Sequence, residues 1–280
     1  MFYQRKKKIM EEQLWQACSD GNVEEAISLL QNSEINTNWQ DSELKRTPFN
    51  IACCNGHIEI VKLLLNDQRV YINQIRNAGV APFYIACSNG HIEIVKLLLN
   101  DKRMVDFNKV HRNSKTPFWI ACCNGHIEIV KILLNDNRVD INQSDDYGIT
   151  PFLIACQNGH IDIELVKILL NDNRVGLNGF SPLHSTCHNG SLQGVQYILA
   201  MRREINLTVE DYQGMTPIRR AKQGKEMTSF WESEKEFEER SRNCTDIIEL
   251  LESFERNPNE TRTKLRIQLG LDGKSISFKF

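Results

Sequence analysis

The chain has 280 residues, 41 % hydrophobic and 25 % charged, with a formal net charge of -2, a balance that excludes whole-chain disorder and a global basic footprint for nucleic acid. No run approaches the roughly 18 to 20 apolar residues of a membrane span, and no apolar core follows the basic start "MFYQRKKKIMEE" to make a secretory signal or anchor. Nine cysteines, an odd number in a long chain, predict reduced thiols in the cytoplasm and not a disulfide framework.

Residues 1–10 read as a basic, solvated and frayed tail. Its cluster Arg5 to Lys8 also has the composition of a weak nuclear-import signal, so the nucleus is a second expected compartment. From Leu14, "LWQACSDGNVEEAISLL" predicts a first helix pair near 11–31. The stretch "IACCNGHIEIVKLLLND" then begins at Ile51 and returns, nearly unchanged, from Ile85, Ile120 and Ile154. His57, His91, His126 and His160 are separated by 34, 35 and 34 residues, and Pro48, Pro82, Pro117 and Pro151 repeat those intervals. A fixed period of this length signals a stacked repeat array. Helix pairs are predicted near 47–67, 81–101, 116–136 and 150–171, with weaker copies near 181–201 and 216–255.

Each unit spells out two helices. Thr-Pro opens the first: the hydroxyl can cap exposed N–H groups, and proline suits the first turn because its missing donor would be unpaired there anyway. Asn-Gly closes it, glycine supplying the left-handed residue that ends a helix. In the second helix Ile60, Val61, Leu64 and Leu65 form a stripe too wide for one neighbour. The burial of four aliphatic side chains is far short of the cost of ordering about thirty residues, so a unit needs its neighbours to fold. Polar stretches such as "QSDDYGIT" turn the chain back to the next Thr-Pro.

In "TPFWIACCNGHIEIVKILLN", from Thr116, the chain closely resembles the ankyrin-repeat signature of Thr-Pro, a small-residue helix, Gly-His and a Val/Leu-rich second helix. The resemblance covers about residues 11–255 and implies an all-α solenoid of about seven antiparallel helix pairs with projecting β-hairpin fingers. Its concave side would bind other proteins. The chain departs from the pattern in four places: the long "NDNRVDIN" link, two extra residues in "HIDIELVK", a shortened finger in "NDNRVGLNGFSP", and an insertion at 225–242. The second and third mark an irregular joint near 161–182. The insertion reads as a helical excursion or as a docking element presenting Phe230, Trp231 and Phe237. Residues 256–280 follow as a short helix capped by Asn259 and a tail in which Ile276, Phe278 and Phe280 alternate, expected to cover the end of the stack.

The repeated residues are read as architecture. Cys18, Cys53, Cys87, Cys122, Cys156 and Cys187 share the position where the family carries alanine, and a small apolar residue there needs no catalytic explanation. Cys54 and Cys123 follow them and are expected to be more accessible, which leaves a thiol sensor as a third reading. No Cys-x-x-Cys occurs, the turn at Asn55-Gly56 separates Cys53 from His57, and neither metal nor cofactor is expected. Each histidine is expected to start a second helix and to hydrogen-bond the next unit. No nucleophile, base and oxyanion hole converge in one pocket, so no enzymatic activity is expected.

Recognition is sought where the repetition fails. One varying column on the first helices is Asn50, Tyr84, Trp119, Leu153 and His184; a second, placed on the groove floor by the family resemblance, is Cys54, Ser88, Cys123, Gln157 and His188. The finger tips vary as well: Glu43, Leu44 and Arg46; Asn77, Ala78 and Val80; Arg112, Asn113 and Lys115; Asp146, Tyr147 and Ile149. Tyr84, Trp119 and Tyr147 are the preferred anchors because exposed aromatics bury large area with few rotors. The alternative for Tyr84 and Trp119 is that they pack beneath the fingers. The expected function is a non-catalytic module that grips a protein or peptide. Its alternative is an adaptor of a signalling or degradation machine that uses the C-terminal segment, Asn257 to Phe280, as a second site. No nucleic acid or membrane partner is expected, and a monomer is favoured.

Overall fold

The computed structural model describes residues 2–104, 106–157, 163–172, 174–175, 182–201, 205–211, 213–227 and 232–271. Among the described residues there are fifteen α-helices and two single-turn 3-10 helices, and no strand. The chain divides into two compact units, residues 1–121 with 126–140 and 145–147, and residues 122–125 and 141–144 with 148–280.

In the first unit α1 (Phe2–Asp20) and α2 (Val23–Leu30) precede the pairs α3 (Pro48–Asn55) and α4 (Ile58–Asn66), α5 (Pro82–Ser88) and α6 (Ile92–Asn100), and α7 (Pro117–Cys123) and α8 (Ile127–Leu134). First helices pack on first helices, α1 on α3 on α5, while α2, α4, α6 and α8 pack in a parallel row. Helix α1 begins at Phe2, so Arg5 to Lys8 lie on a helix and not on a frayed tail. Neither glycine nor proline interrupts the chain before Gly21, and the buried Leu14, Ala17 and Cys18 anchor the helix downstream.

The core repeats as the sequence does. Phe49, Phe83 and Phe118 are at most 1 % exposed, and Ile60, Ile94 and Ile129 are buried one repeat apart, as are Leu64, Leu98 and Leu133. Thr47 caps α3 by accepting from the Asn50 N–H at 3.1 Å, while the Asn50 side chain accepts in turn from the Thr47 N–H. Thr116 caps α7 in the same way, accepting from the Trp119 N–H at 3.0 Å. In place of hairpin strands, the described connectors hold single-turn 3-10 helices at Asn77–Gly79 and Arg112–Ser114 and one isolated antiparallel bridge, His111–Lys115.

The second unit contains α9 (Pro151–Gln157), α10 (Ile163–Asn171), α11 (Pro182–His188), α12 (Leu192–Met201), α13 (Pro217–Glu226), α14 (Glu234–Arg256) and α15 (Pro258–Gln268). Within it α11 packs between α9 and α13, and α12 packs on α10, α14 and α15. Ser233 and Glu236 form a capping box at the start of α14, and the helix then runs 23 residues without a break. The second half of the predicted insertion is therefore a forward extension of that helix. Phe237 is half-buried beneath the Arg240 guanidinium, 5.3 Å from its ring centre. The cap of α15 is Asn257 and not Asn259, because Pro258 takes the first helical position and moves the cap to the residue before it. Phe230, Trp231, Ile276, Phe278, Phe280 and residues 161–162, 173 and 176–181 of the expected irregular joint lie outside the described residues.

Candidate functional site

The repeated polar residues lock neighbouring units together. Nε2 of His57, His91 and His126 lies 2.8, 2.9 and 2.9 Å from the carbonyl oxygens of Ser19, Cys54 and Ser88. A carbonyl only accepts, so Nε2 carries the proton in each ring. The partner sits in the preceding unit, not in the next one, because each ring folds back over the glycine that closed the earlier helix. A Cβ on Gly56 would come within 2.6 Å of the His91 ring. Asn89 adds a second donor to the Cys54 carbonyl at 2.8 Å, as Asn55 does to that of Ser19 at 2.9 Å.

A second clasp was not read from the sequence. In the "NDxR" links the Asp67 carboxylate holds Arg69 at 2.7 Å, and Asp101 holds Arg103 at 2.8 Å. Each guanidinium then reaches back to a carbonyl at the end of the previous second helix: Arg69 to Leu30 at 2.9 Å, Arg103 to Leu65 at 2.5 Å, Arg138 to Leu99 at 2.9 Å. These are the orphan acceptors at the negative end of a helix, so cations satisfy both hydrogen bonding and dipole. The regular spacing of Asp and Arg was the available signal. Asparagines add a further tie, Asn73 to the Arg103 carbonyl at 2.7 Å and Asn108 to that of Arg138 at 2.9 Å.

The cysteine column is chemically quiet. Cys18, Cys53, Cys87, Cys122, Cys156 and Cys187 are fully buried. Burial pushes the thiols of Cys18 and Cys156 up to about 12 and raises the other four as well. Cys54 and Cys123 are half-buried. Among the described residues no group of three or more His, Cys, Asp or Glu side chains could hold a metal ion.

The structure separates the predicted binding residues. Trp119 is 2 % exposed and Tyr84 5 %, so neither can anchor a partner; Leu153, Asn50, His184 and Val80 are buried too. Connector side chains cover the two aromatics: the Lys115 ammonium lies 4.4 Å above the Trp119 ring, and His111 packs edge-on against Tyr84 at 5.0 Å. Arg46 is committed to Asp41 at 2.6 Å and lies over Trp15. In the second column Cys54, Ser88, Cys123 and His188 are half-buried, and the side chain of Gln157 is outside the described set, as is that of Ala78.

The connector tips remain in solvent. Tyr147 is 69 % exposed and Leu44 41 %, and Glu43, Asn77, Arg112, Asn113 and Asp146 are exposed with them; Lys115 and Ile149 are half-buried. In the first unit the tips are pinned pairwise. The Asn77 N–H donates to the Leu44 carbonyl at 2.9 Å and its amide to that of Glu43 at 3.0 Å, while the Asp146 N–H donates to the Asn113 carbonyl at 3.0 Å. Sequence comparison by column missed Tyr71, which is 62 % exposed on the long link beside a shallow depression lined by Gln68, Ile72, Gln74 and Arg103. Its signal was present: Tyr71 stands where the following units have Asp106 and Asp140.

Capped helix pairs, clasped one to the next in the first unit, define a helical-repeat protein. A sequence model of ankyrin repeats (3 copies) matches residues 14–110, 68–145, 102–174 and 119–211. The chain belongs to the ankyrin-repeat family, whose repeats are general protein–protein interaction modules. No curated protein matches it as a relative. No described helix is long and apolar enough to cross a membrane.

Proposed function

We propose that this protein is a non-catalytic interaction module that binds a protein or peptide through the connector tips of its first unit. The single observation carrying this reading is Tyr147, an exposed aromatic beside Asp146, whose backbone is tied to the neighbouring tip at Asn113. An aromatic on a held loop gains large contact area and loses few rotors on binding. Leu44, exposed and tied to Asn77, offers the same combination of apolar side chain and fixed backbone. The half-buried Cys54 and Ser88 of α3 and α5 extend the contact along the first helices, the side the family uses as its concave face.

The test is affinity capture from cell extract, quantified by mass spectrometry, with wild type and with Tyr147→Ala and Leu44→Ala. Loss of a captured protein from both variants, with unchanged melting temperature, supports the reading; retention of every partner by both counts against it. A second reading, an adaptor whose C-terminal segment 257–280 holds another partner, is favoured by Ile267, which is exposed on α15. Removal of 257–280 would then release one partner and keep another. The expected compartment for this activity is the cytoplasm, with the nucleus second; the odd cysteine count and the basic cluster Arg5 to Lys8 support that reading.

A further inference from the structure

Helix α11 in the second unit carries two histidines one turn apart, and the interaction surface uses neither. His184 is 2 % exposed; its Nε2–H donates to the Val209 carbonyl at 2.9 Å, and its Nδ1 is buried without a hydrogen-bond partner. His188 is half-buried and likewise has a buried Nδ1 without a partner. A ring with one N–H donated and one dry lone pair is in its neutral form. A second proton would need an acceptor and a counter-charge.

Among the described residues, the groups around His188 supply no spare counter-charge. From α13 it faces Arg220 and from α14 Arg240, both cations. Asp211, in the connector, is committed to Arg220 at 2.5 Å, and Glu232, just before α14, to Arg240 at 2.7 Å. Helices α9 and α12 carry one titratable side chain each, Cys156 and Tyr197, and the Cys244 thiol of α14 is directed at the Cys187 carbonyl at 3.6 Å. His184 is in a mixed field: burial disfavours a proton, as does Arg220, while the Val209 carbonyl and Asp211 favour one. Two guanidinium groups beside two imidazoles also argue against a metal ion.

Helices α13 and α14 close directly on the end of α11. A Cβ on Gly224 would collide with the His188 carbonyl oxygen, so the α13 backbone rests directly on α11. The Arg240 side chain covers Gly190 at the end of α11 and donates to the carbonyls of Gly224 and Met227, tying the end of α13 to α14.

We propose that His188, supported by His184, is an acid-sensitive latch: protonation of His188 opens the contact that α13 and the start of α14 make with α11, while the first unit stays folded. Burial first, then Arg220 and Arg240, hold the closed-state ring below its ordinary value of 6.5. The opened state, with a solvated ring, takes up its proton near that ordinary value. The latch therefore has full strength above pH 6.5, weakens as pH falls below it, and stops weakening once the closed-state value is passed. Within that window the open-to-closed ratio rises by up to about tenfold per pH unit.

Hydrogen exchange of the full chain at pH 7.5 and pH 5.5, corrected for the intrinsic exchange rate, tests this. Amides of 217–226 and 234–247 are expected to lose protection by up to about tenfold at the lower pH, while those of α4 and α6 do not, and His188→Gln is expected to keep protection at both. No selective loss in the wild type, or an equal loss in His188→Gln, overturns the latch. Should His188→Gln be loosened already at pH 7.5, the imidazole proton titration of the wild type decides: a His188 midpoint below 6.5 supports the latch, and one at or above it rejects it.

Discussion

The His91 imidazole donates to the Cys54 carbonyl at 2.9 Å while covering Gly56 so closely that a Cβ there would lie 2.6 Å from the ring. One side chain thus enforces a glycine 35 positions earlier, and the motif "NGH" works along a diagonal, its glycine meeting the histidine of the following unit. Gly56 also has a φ of 78°, where a side chain costs about 1–2 kcal/mol. Gly56→Ala is expected to destabilise by roughly 2–4 kcal/mol, the sum of that strain and the displaced hydrogen bond. Urea unfolding measures it. The Gly56→Ala/His91→Ala pair should fall short of additivity, and additive losses would mean the two residues are not coupled.

Trp119 and Tyr147, both preferred anchors by sequence, should behave in opposite ways. Removing the 2 % exposed Trp119 ring leaves a cavity, and Trp119→Ala is expected to cost about 3–5 kcal/mol. Tyr147→Ala should change stability by less than about 0.5 kcal/mol, since its ring stands in solvent. Denaturant midpoints check both.

The thiols should divide by burial. Alkylation of the native protein at pH 8 is expected to mark Cys54 and Cys123 first, and Cys53, Cys87, Cys122 and Cys156 only on unfolding, because burial raises the latter four. Peptide mapping of the labelled protein reads the order, and early labelling of Cys87 would contradict the packing of α5.

The aspartates of the "NDxR" links bring an acid dependence of their own. The Arg103 hydrogen bond holds the Asp101 carboxyl below its ordinary value of 3.8, and Arg69, Arg138 and Arg174 do the same for Asp67, Asp136 and Asp172. Their contribution is complete above that value and is lost as pH falls through the lower folded-state values. Asp101→Asn is expected to be less stable than wild type at pH 7, with the difference shrinking below about pH 4. Urea midpoints across pH 7 to 3 measure the convergence, and a constant difference would assign Asp101 a neutral role.

Much of this arrangement was legible in the residues. Thr47 and Thr116 before proline, Gly56 and Gly90 after asparagine, and the aliphatic stripe of "HIEIVKLLLN" each carry a local instruction about helix start, stop and face. Less was legible in the binding surface. Tyr84, Trp119 and Tyr147 are all aromatics at varying positions, yet only Tyr147 reaches solvent. Nothing local distinguishes them, and Tyr71, the exposed aromatic of the long link, drew no attention at all.

By itself the sequence determined the period, the Thr-Pro helix starts, the Asn-Gly helix stops and the family, because those depend on backbone preferences and on side-chain spacing within a few residues. Only the tertiary structure decided which direction each histidine points, what Arg69, Arg103 and Arg138 clasp, and which aromatic a connector covers. The histidine and arginine clasps depend on atoms brought together from 37 to 39 residues away, such as Arg69 and Leu30, 39 apart, and the chain closes such distances only by packing. The histidines of α11 belong to the same class, since their burial, and for His188 the guanidinium groups of Arg220 and Arg240, come with the packing of other elements on α11.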